Sequence, residues 1–291
     1  MAQSRIGGTK SFIHGKVGSE VYYTDKNLDG NIIQVVKAIP DYVRNPRTDA
    51  QKKGRIIMAT LYKAVGVLAP LINHSFEGIA EGRPSLCHFY SENYQLIKQD
   101  IQDYPSTDYQ FPLVSWKGTT ARPGAYLISE GTIEKGSQPT VYQTSSQTYC
   151  RIRYRASKSR TKISNMKSYF DMENGDFLTL VQITKDGICQ VAKLTWNYDG
   201  DESLDVDETT FFEVFDIEGD MEITFTRGTS TSYFDVFIGP RCTGGCQGII
   251  LTKFIDGVAQ HSTARMVRSK NQPSSYEEAL ASYPDGDRYY Y

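Results

Sequence analysis

Cysteine, net charge and long apolar runs are all scarce in this chain, and each shortage excludes something. Five cysteines (Cys87, Cys150, Cys189, Cys242, Cys246) in 291 residues are too few, and odd in number, for a secreted disulfide framework, so a reducing compartment is expected. A formal net charge of -2, from 32 basic and 34 acidic residues, leaves no bulk charge with which to bind nucleic acid, and any electrostatic argument has to be local. Nowhere do eighteen apolar residues run together, and the opening Met-Ala-Gln-Ser-Arg-Ile-Gly-Gly holds no apolar signal core. Neither a membrane span nor a signal peptide is expected. No internal repeat is visible, and no nucleophile, base and oxyanion set stands out, so a non-enzymatic protein is expected.

What the chain does have is apolar and aromatic mass. At 39% hydrophobic, with 20 Tyr, 13 Phe and 24 Gly, it can build one large or two medium cores, and its composition favours strands over a helical bundle.

The stretch Arg44-Asn45-Pro46-Arg47-Thr48-Asp49-Ala50-Gln51 organises the first third. Pro46 fixes its own φ and pushes Asn45 toward extended geometry, so the strand-like region before it ends in a turn. Thr48 stands where a helix N-cap belongs, Gln51 follows three residues later, and Asp49 suits the positive end of the helix dipole. Ile57, Leu61, Val65 and Leu68 then recur at helical spacing, with Pro70 expected to close the helix.

Upstream, residues 15–39 alternate about the polar turn 25–31 and predict a β-hairpin. Leu86, Phe89, Tyr90, Tyr94, Ile97 and Ile101 predict a second helix over 85–101, joined to the first by the Gly-containing connection 71–83. The Tyr104-Pro105 pair marks a boundary. From 109 to 268 short apolar runs alternate with turn residues, predicting strands at 126–133, 140–143, 149–156, 177–184, 188–196, 211–217, 221–226, 233–238, 248–255 and 259–267. Ser275 and Glu278 resemble a second capping box, opening a short helix to 281 before a polar tail. The expected fold class is α+β, mainly β: an N-terminal hairpin plus helical hairpin (1–104), an antiparallel, immunoglobulin-like β-sandwich (105–270), and a short helix with a tail (271–291).

Four segments carry a family resemblance: Gly15-Lys16-Val17-Gly18, Asn45-Pro46-Arg47-Thr48-Asp49-Ala50-Gln51, Leu127-Ile128-Ser129-Glu130-Gly131 and Phe254-Ile255-Asp256-Gly257. With them the chain resembles, over most of its length, a family of proteins of no assigned activity from Bacteroidota and their phages. The Asn-Pro-Arg-Thr segment is the most distinctive, and this chain is longer than the family across 157–247. The resemblance implies a phage or prophage protein located in the virion after synthesis in the host cytoplasm. It carries over no functional residues.

Charge is segregated along the chain. Arg151, Arg153 and Arg155 alternate with Ile152 and Tyr154, and with Lys158, Arg160, Lys162 and Lys167 they make seven basic residues and no acidic one over 151–167. Such a stretch can neutralise phosphates, or meet an acidic protein surface, or simply be solvated. Over 199–222 the reverse holds, with eleven acidic residues, among them Asp199, Asp201, Glu202, Asp205, Asp207 and Glu208, and no basic one. The two stretches can cover one another or meet across a subunit interface, which is the preferred reading. Calcium is the sharper alternative, but the EF-hand template fails for lack of its Gly and its final Glu.

Other candidates are weaker still. Cys242 and Cys246, four residues apart on a Gly-Gly turn, lack a second ligand pair for zinc and are read as a loop between strands. His14, His74, His88 and His261 fall in no motif, and Gly7-Gly8-Thr9-Lys10 lacks the spacing of a phosphate loop. No metal and no cofactor are expected.

A hairpin alone is marginal in water and exposes its strand edges. Ile32, Ile33, Val35 and Val36, followed by Arg44, Arg47, Lys52 and Arg55 around the turn, are therefore the subunit-contact candidates. The expected function is a structural virion protein that forms a ring-like homo-oligomer, such as a head-to-tail connector or tail ring, contacting other virion proteins but no membrane or small-molecule substrate. Nucleic-acid binding through the basic patches is the rival reading, and glycan recognition by the tyrosine-rich sandwich a third.

Overall fold

The computed structural model describes residues 3–7, 10–17, 20–26, 31–38, 42–44, 48–103, 110–133, 140–144, 146–154, 164, 171–196, 212–218, 221–227, 234–269, 276–284 and 288–290. The chain divides into two compact units, 1–48 with 284–291, and 49–283. The architecture is mixed α and β, mostly strands, with every strand ladder antiparallel.

In the first unit, β1 (Gln3–Gly7), β2 (Lys10–Val17), β3 (Glu20–Lys26) and β4 (Ile32–Ala38) form a meander in that order. The expected hairpin is present: Lys26 lies opposite Ile32 and Glu20 opposite Ala38. It is not alone, however. The reading that ran one strand through 15–23 is corrected, because Val17 lies opposite Glu20 and the chain reverses between them. β5 (Tyr42–Arg44) pairs with β18 (Arg288–Tyr290), so the C-terminal stretch expected as a polar tail contributes a strand. Its aromatic residues suit one, since aromatics pack well on a pleated surface.

In the second unit, α1 (Asp49–Ile72) and α2 (Arg83–Asp103) pack together through the expected stripes, Ile57, Leu61 and Leu68 meeting Phe89 and Ile97 in one buried cluster. Pro70 does not end α1, which runs two residues beyond it. A helical proline costs about 3 kcal/mol, but Leu68 and Ile72, both fully buried, each return about 1.5–3 kcal/mol. Among the described residues α1 is the one helix long and apolar enough to cross a membrane. Here its apolar stripe is occupied by the core.

The sequence grouped the helical hairpin with the N-terminal strands. In the structure it shares its core with the strand body instead, because Leu61, Leu68 and Phe89 belong to the same cluster as Ile128, Val181 and Ile250. The body has a six-stranded sheet in the order β11 (Phe212–Glu218), β10 (Cys189–Trp196), β9 (Phe177–Ile183), β14 (Cys246–Ile255) and β15 (Val258–His261), with β17 (Val267–Arg268) also on β14. A four-stranded sheet runs β12 (Phe225–Arg227), β13 (Phe234–Thr243), β8 (Gln147–Tyr154) and β7 (Thr140–Gln143), and β6 (Leu127–Ser129) pairs with β16 (Ala264–Arg265). β13 passes into β14 across Gly244-Gly245, so Cys242 and Cys246 flank a tight inter-strand turn. The C-terminal helix α3 (Tyr276–Ser282) begins one residue after its expected cap, and Tyr283, at the start of the expected tail, is buried edge-on against Trp116 at 5.1 Å.

Polar side chains stitch helices to strands. The Asn93 amide on α2 donates to the Leu127 carbonyl at 3.0 Å and accepts from the Leu127 N–H at 2.8 Å, standing in for a neighbouring strand of β6. Thr60 on α1 donates to the Ile56 carbonyl and accepts the Val114 N–H at 3.0 Å. The Asp100 carboxylate accepts the N–H groups of Gln110 and Phe111.

Candidate functional site

The helices are joined by residues 73–82, and this connection is held by backbone bonds usually reserved for strands. Glu77 N–H donates to the Glu130 carbonyl at 2.9 Å and Glu130 N–H to the Ser75 carbonyl at 3.2 Å, a parallel bridge beside β6. Buried hydroxyls reinforce it: Ser75 Oγ donates to the Ile128 carbonyl at 2.6 Å, and Ser129 Oγ lies 2.8 Å from the Ser75 carbonyl and 2.9 Å from that of Ser262.

Three of the four histidines, unrelated in sequence, gather here. His74 Nδ1 donates to Glu81 at 2.9 Å, and His88 Nε2 to Glu130 at 2.9 Å while its ring meets the edge of Phe76 at 4.9 Å. His261, on β15, is 3.1 Å from the Thr252 hydroxyl through Nδ1. Burial lowers its pKa and so favours the neutral imidazole, an effect the Glu77 charge partly offsets. Glu77 accepts the Thr132 N–H and hydroxyl, both at 2.8 Å, and the His261 N–H at 3.3 Å. Desolvation pushes its carboxyl up, but these hydrogen bonds outweigh it and leave the pKa below the usual value. Gly131 is required at this junction, since a Cβ there would collide with the His261 carbonyl and approach Glu77 Oε2 to 2.6 Å.

Two clefts flank the connection. One, of about 530 Å³, is lined by Phe76, His88, Glu130 and Thr132. The other, of about 410 Å³, lies between the connection and the six-stranded sheet: Leu71, Phe76 and Ile79 face Phe177 and Ile250, with His74, Glu81, Lys193, Thr252 and His261 among the polar lining. A mostly apolar cleft with a few convergent polar groups is the usual form of a ligand site. Sequence reading missed it, because its polar residues come from both ends of the second unit and none sits in a motif.

The sequence-stated candidates distribute differently. Of the contact residues, Ile32, Ile33 and Val36 are exposed and Val35 half-buried on β4, the last strand of its sheet. Lys52 is 8% exposed and Arg55 half-buried, so the flank read as an open docking surface is largely covered. The backbone of Arg44 lies in β5, and those of Arg151 and Arg153 occupy alternate positions of β8. Arg47, Arg155, Lys158, Arg160 and Lys162 lie outside the described residues, as do Asp199, Asp201, Glu202, Asp205, Asp207 and Glu208 with the calcium question. Among the described residues no group of three or more His, Cys, Asp or Glu is placed to hold a metal ion.

Compared with known proteins, the chain matches no family model, no curated protein and no solved structure.

Proposed function

We propose that this chain is a non-enzymatic structural protein of a bacteriophage virion, assembling with copies of itself through its N-terminal unit into a symmetric element such as a head-to-tail connector or tail ring. The observation that carries the reading is that the described side chains of two neighbouring strands include none that is fully buried. Every described side chain of β3 and β4 is half-buried or exposed, and Val17, Val21, Ile32, Ile33 and Val36 are exposed apolar residues. Among the described residues no strand pairs with the outer edge of β4. Strands of this kind are stabilised by a partner that buries their apolar residues and satisfies the edge, and a neighbouring copy in a symmetric assembly can supply that partner.

The phage context rests on the Asn45-Pro46-Arg47-Thr48 segment and its companions in the sequence. The second unit, with its own core, serves as the body, and we read its two larger antiparallel sheets as an immunoglobulin-like sandwich that faces other virion proteins. The chain needs no cofactor for this role. Native mass spectrometry of the full chain tests the proposal. A homo-oligomer is expected, and removing residues 1–43 should leave a folded body that no longer assembles. A strict monomer, or a truncated chain that assembles as before, would place the contact elsewhere or remove it. If duplex DNA bound the full chain with a steep salt dependence lost on changing Arg151 and Arg153 to Ser, the nucleic-acid reading would replace this one.

A further inference from the structure

The 410 Å³ cleft beside the helix connection lies within the second unit, and its chemistry selects a ligand of its own. Its volume falls in the range of about 300–1,000 Å³ over which clefts hold small molecules. Three features narrow the class. First, the one lysine of its lining is matched by a carboxylate, and a second carboxylate stands at the rim: Lys193 Nζ lies 2.9 Å from Asp216, and Glu81 lies 2.9 Å from His74 Nδ1. A phosphate or carboxylate entering the cleft meets no uncompensated cation, and burial keeps His261 from supplying one.

Second, the lining mixes donors and acceptors with apolar residues. Lys193 offers N–H groups, Glu81 offers carboxylate oxygens, and the Thr179 and Thr252 hydroxyls offer both. Asn73, also in the lining, has a side-chain oxygen sealed from solvent that accepts no hydrogen bond, a costly state that a turn of the amide toward a ligand donor would relieve. Third, the lining includes the aromatic ring of Phe177 together with Ile250. Neighbouring hydroxyls that each donate and accept, set around a ring with one apolar C–H face, match all three features.

We propose that this cleft binds a neutral saccharide, its apolar ring face on Phe177 and Ile250 and its hydroxyls shared among Asn73, the His74–Glu81 pair and Lys193. The site lies wholly within the second unit, so it stands or falls apart from the assembly reading.

Saturation-transfer NMR on the full chain tests it, with glucose, galactose, mannose, N-acetylglucosamine and their disaccharides as probes, and glucose 6-phosphate and AMP as charged controls. Transfer to the ring protons of at least one neutral sugar is expected, ahead of both charged controls. Glu81 is exposed, so Glu81→Gln leaves the fold intact, and it should weaken binding about tenfold through loss of charge-assisted hydrogen bonds. Phe177→Leu keeps apolar bulk without the aromatic face and serves as the second variant. Weakening in Glu81→Gln alone already places the sugar in the cleft. Silence from every neutral sugar, preference for a charged control, or affinities within about twofold of the parent in both variants would overturn the proposal.

Discussion

Changing Ile33 and Val36 together to lysine puts the assembly reading at risk most directly. Ile32, Ile33 and Val36 expose 58%, 41% and 47% of their surface. Full burial of an aliphatic side chain is worth about 1.5–3 kcal/mol, and the three exposures amount to about one and a half such side chains, so pairing along β4 gains roughly 2–4 kcal/mol per copy. The double substitution removes more than half of that. In a two-fold contact both copies lose it, and four lysines are brought close together. A dissociation constant raised about a hundredfold or more is expected.

The isolated protomer should notice little, because both positions are exposed and surface changes usually fall within about 0.5 kcal/mol. Sedimentation velocity over a concentration series, with thermal melting as the folding control, separates the two effects. If the variant keeps the parental stoichiometry and a dissociation constant within about threefold, β4 is not the subunit contact and the argument from its exposed residues fails.

Gly131→Ala should cost about 1–3 kcal/mol, as overpacking does, because the new methyl collides with the His261 carbonyl and crowds Glu77. A melting temperature lower by several degrees checks it. Acidification should destabilise the second unit in two stages. His261, with a folded pKa below 6.5, contributes stability that is complete above pH 6.5 and lost as pH falls through the folded value. Glu77, with a folded pKa below 4.5, does the same below pH 4.5. Melting curves from pH 7 downward should therefore fall, with His261→Gln flattening the upper stage and Glu77→Gln the lower. Alkylation by iodoacetamide at pH 8, read by mass spectrometry, should label exposed Cys87 first. Burial pushes the Cys242 thiol up to about 11, leaving about one thiolate in a thousand at that pH, and buried Cys150 and Cys246 are raised as well. Labelling of these three in the native protein at the rate of Cys87 would contradict the buried core.

Where residue type dictates local geometry, the sequence was readable. The pairing of β3 with β4, the start of α1 after Thr48 and most strand positions in the body emerge from periodicity and from Pro and Gly punctuation. Elements whose existence depends on a distant partner did not emerge. β1, β2 and β18 are weak strands by composition and form because another strand lies alongside. Pro70 misled because a local rule about helix ends was outweighed by the burial of Ile72. The cleft was hidden for the same reason. His74, Lys193 and His261 meet only because the chain between them builds a six-stranded sheet, and no spacing in the sequence announces that.

Loops that join helices are normally solvated and variable in shape, and a site built on one is correspondingly imprecise. The 73–82 connection escapes this, because its hold on the body is made by backbone groups and by buried serines. Ser75, Glu77 and Glu130 exchange main-chain bonds, and the Ser129 hydroxyl ties the connection to Ser262 near β15. Those bonds fix the path of the chain whatever side chains stand at 74 and 81. His74 and Glu81 thus present a paired donor and acceptor from a connection tied to the body by strand-like bonds, lining one cleft with Phe177, Lys193 and Thr252 from the sheet. Precision of that kind has little purpose in a plain spacer between helices, and it is what a site needs in order to hold a small ligand by several hydrogen bonds at once.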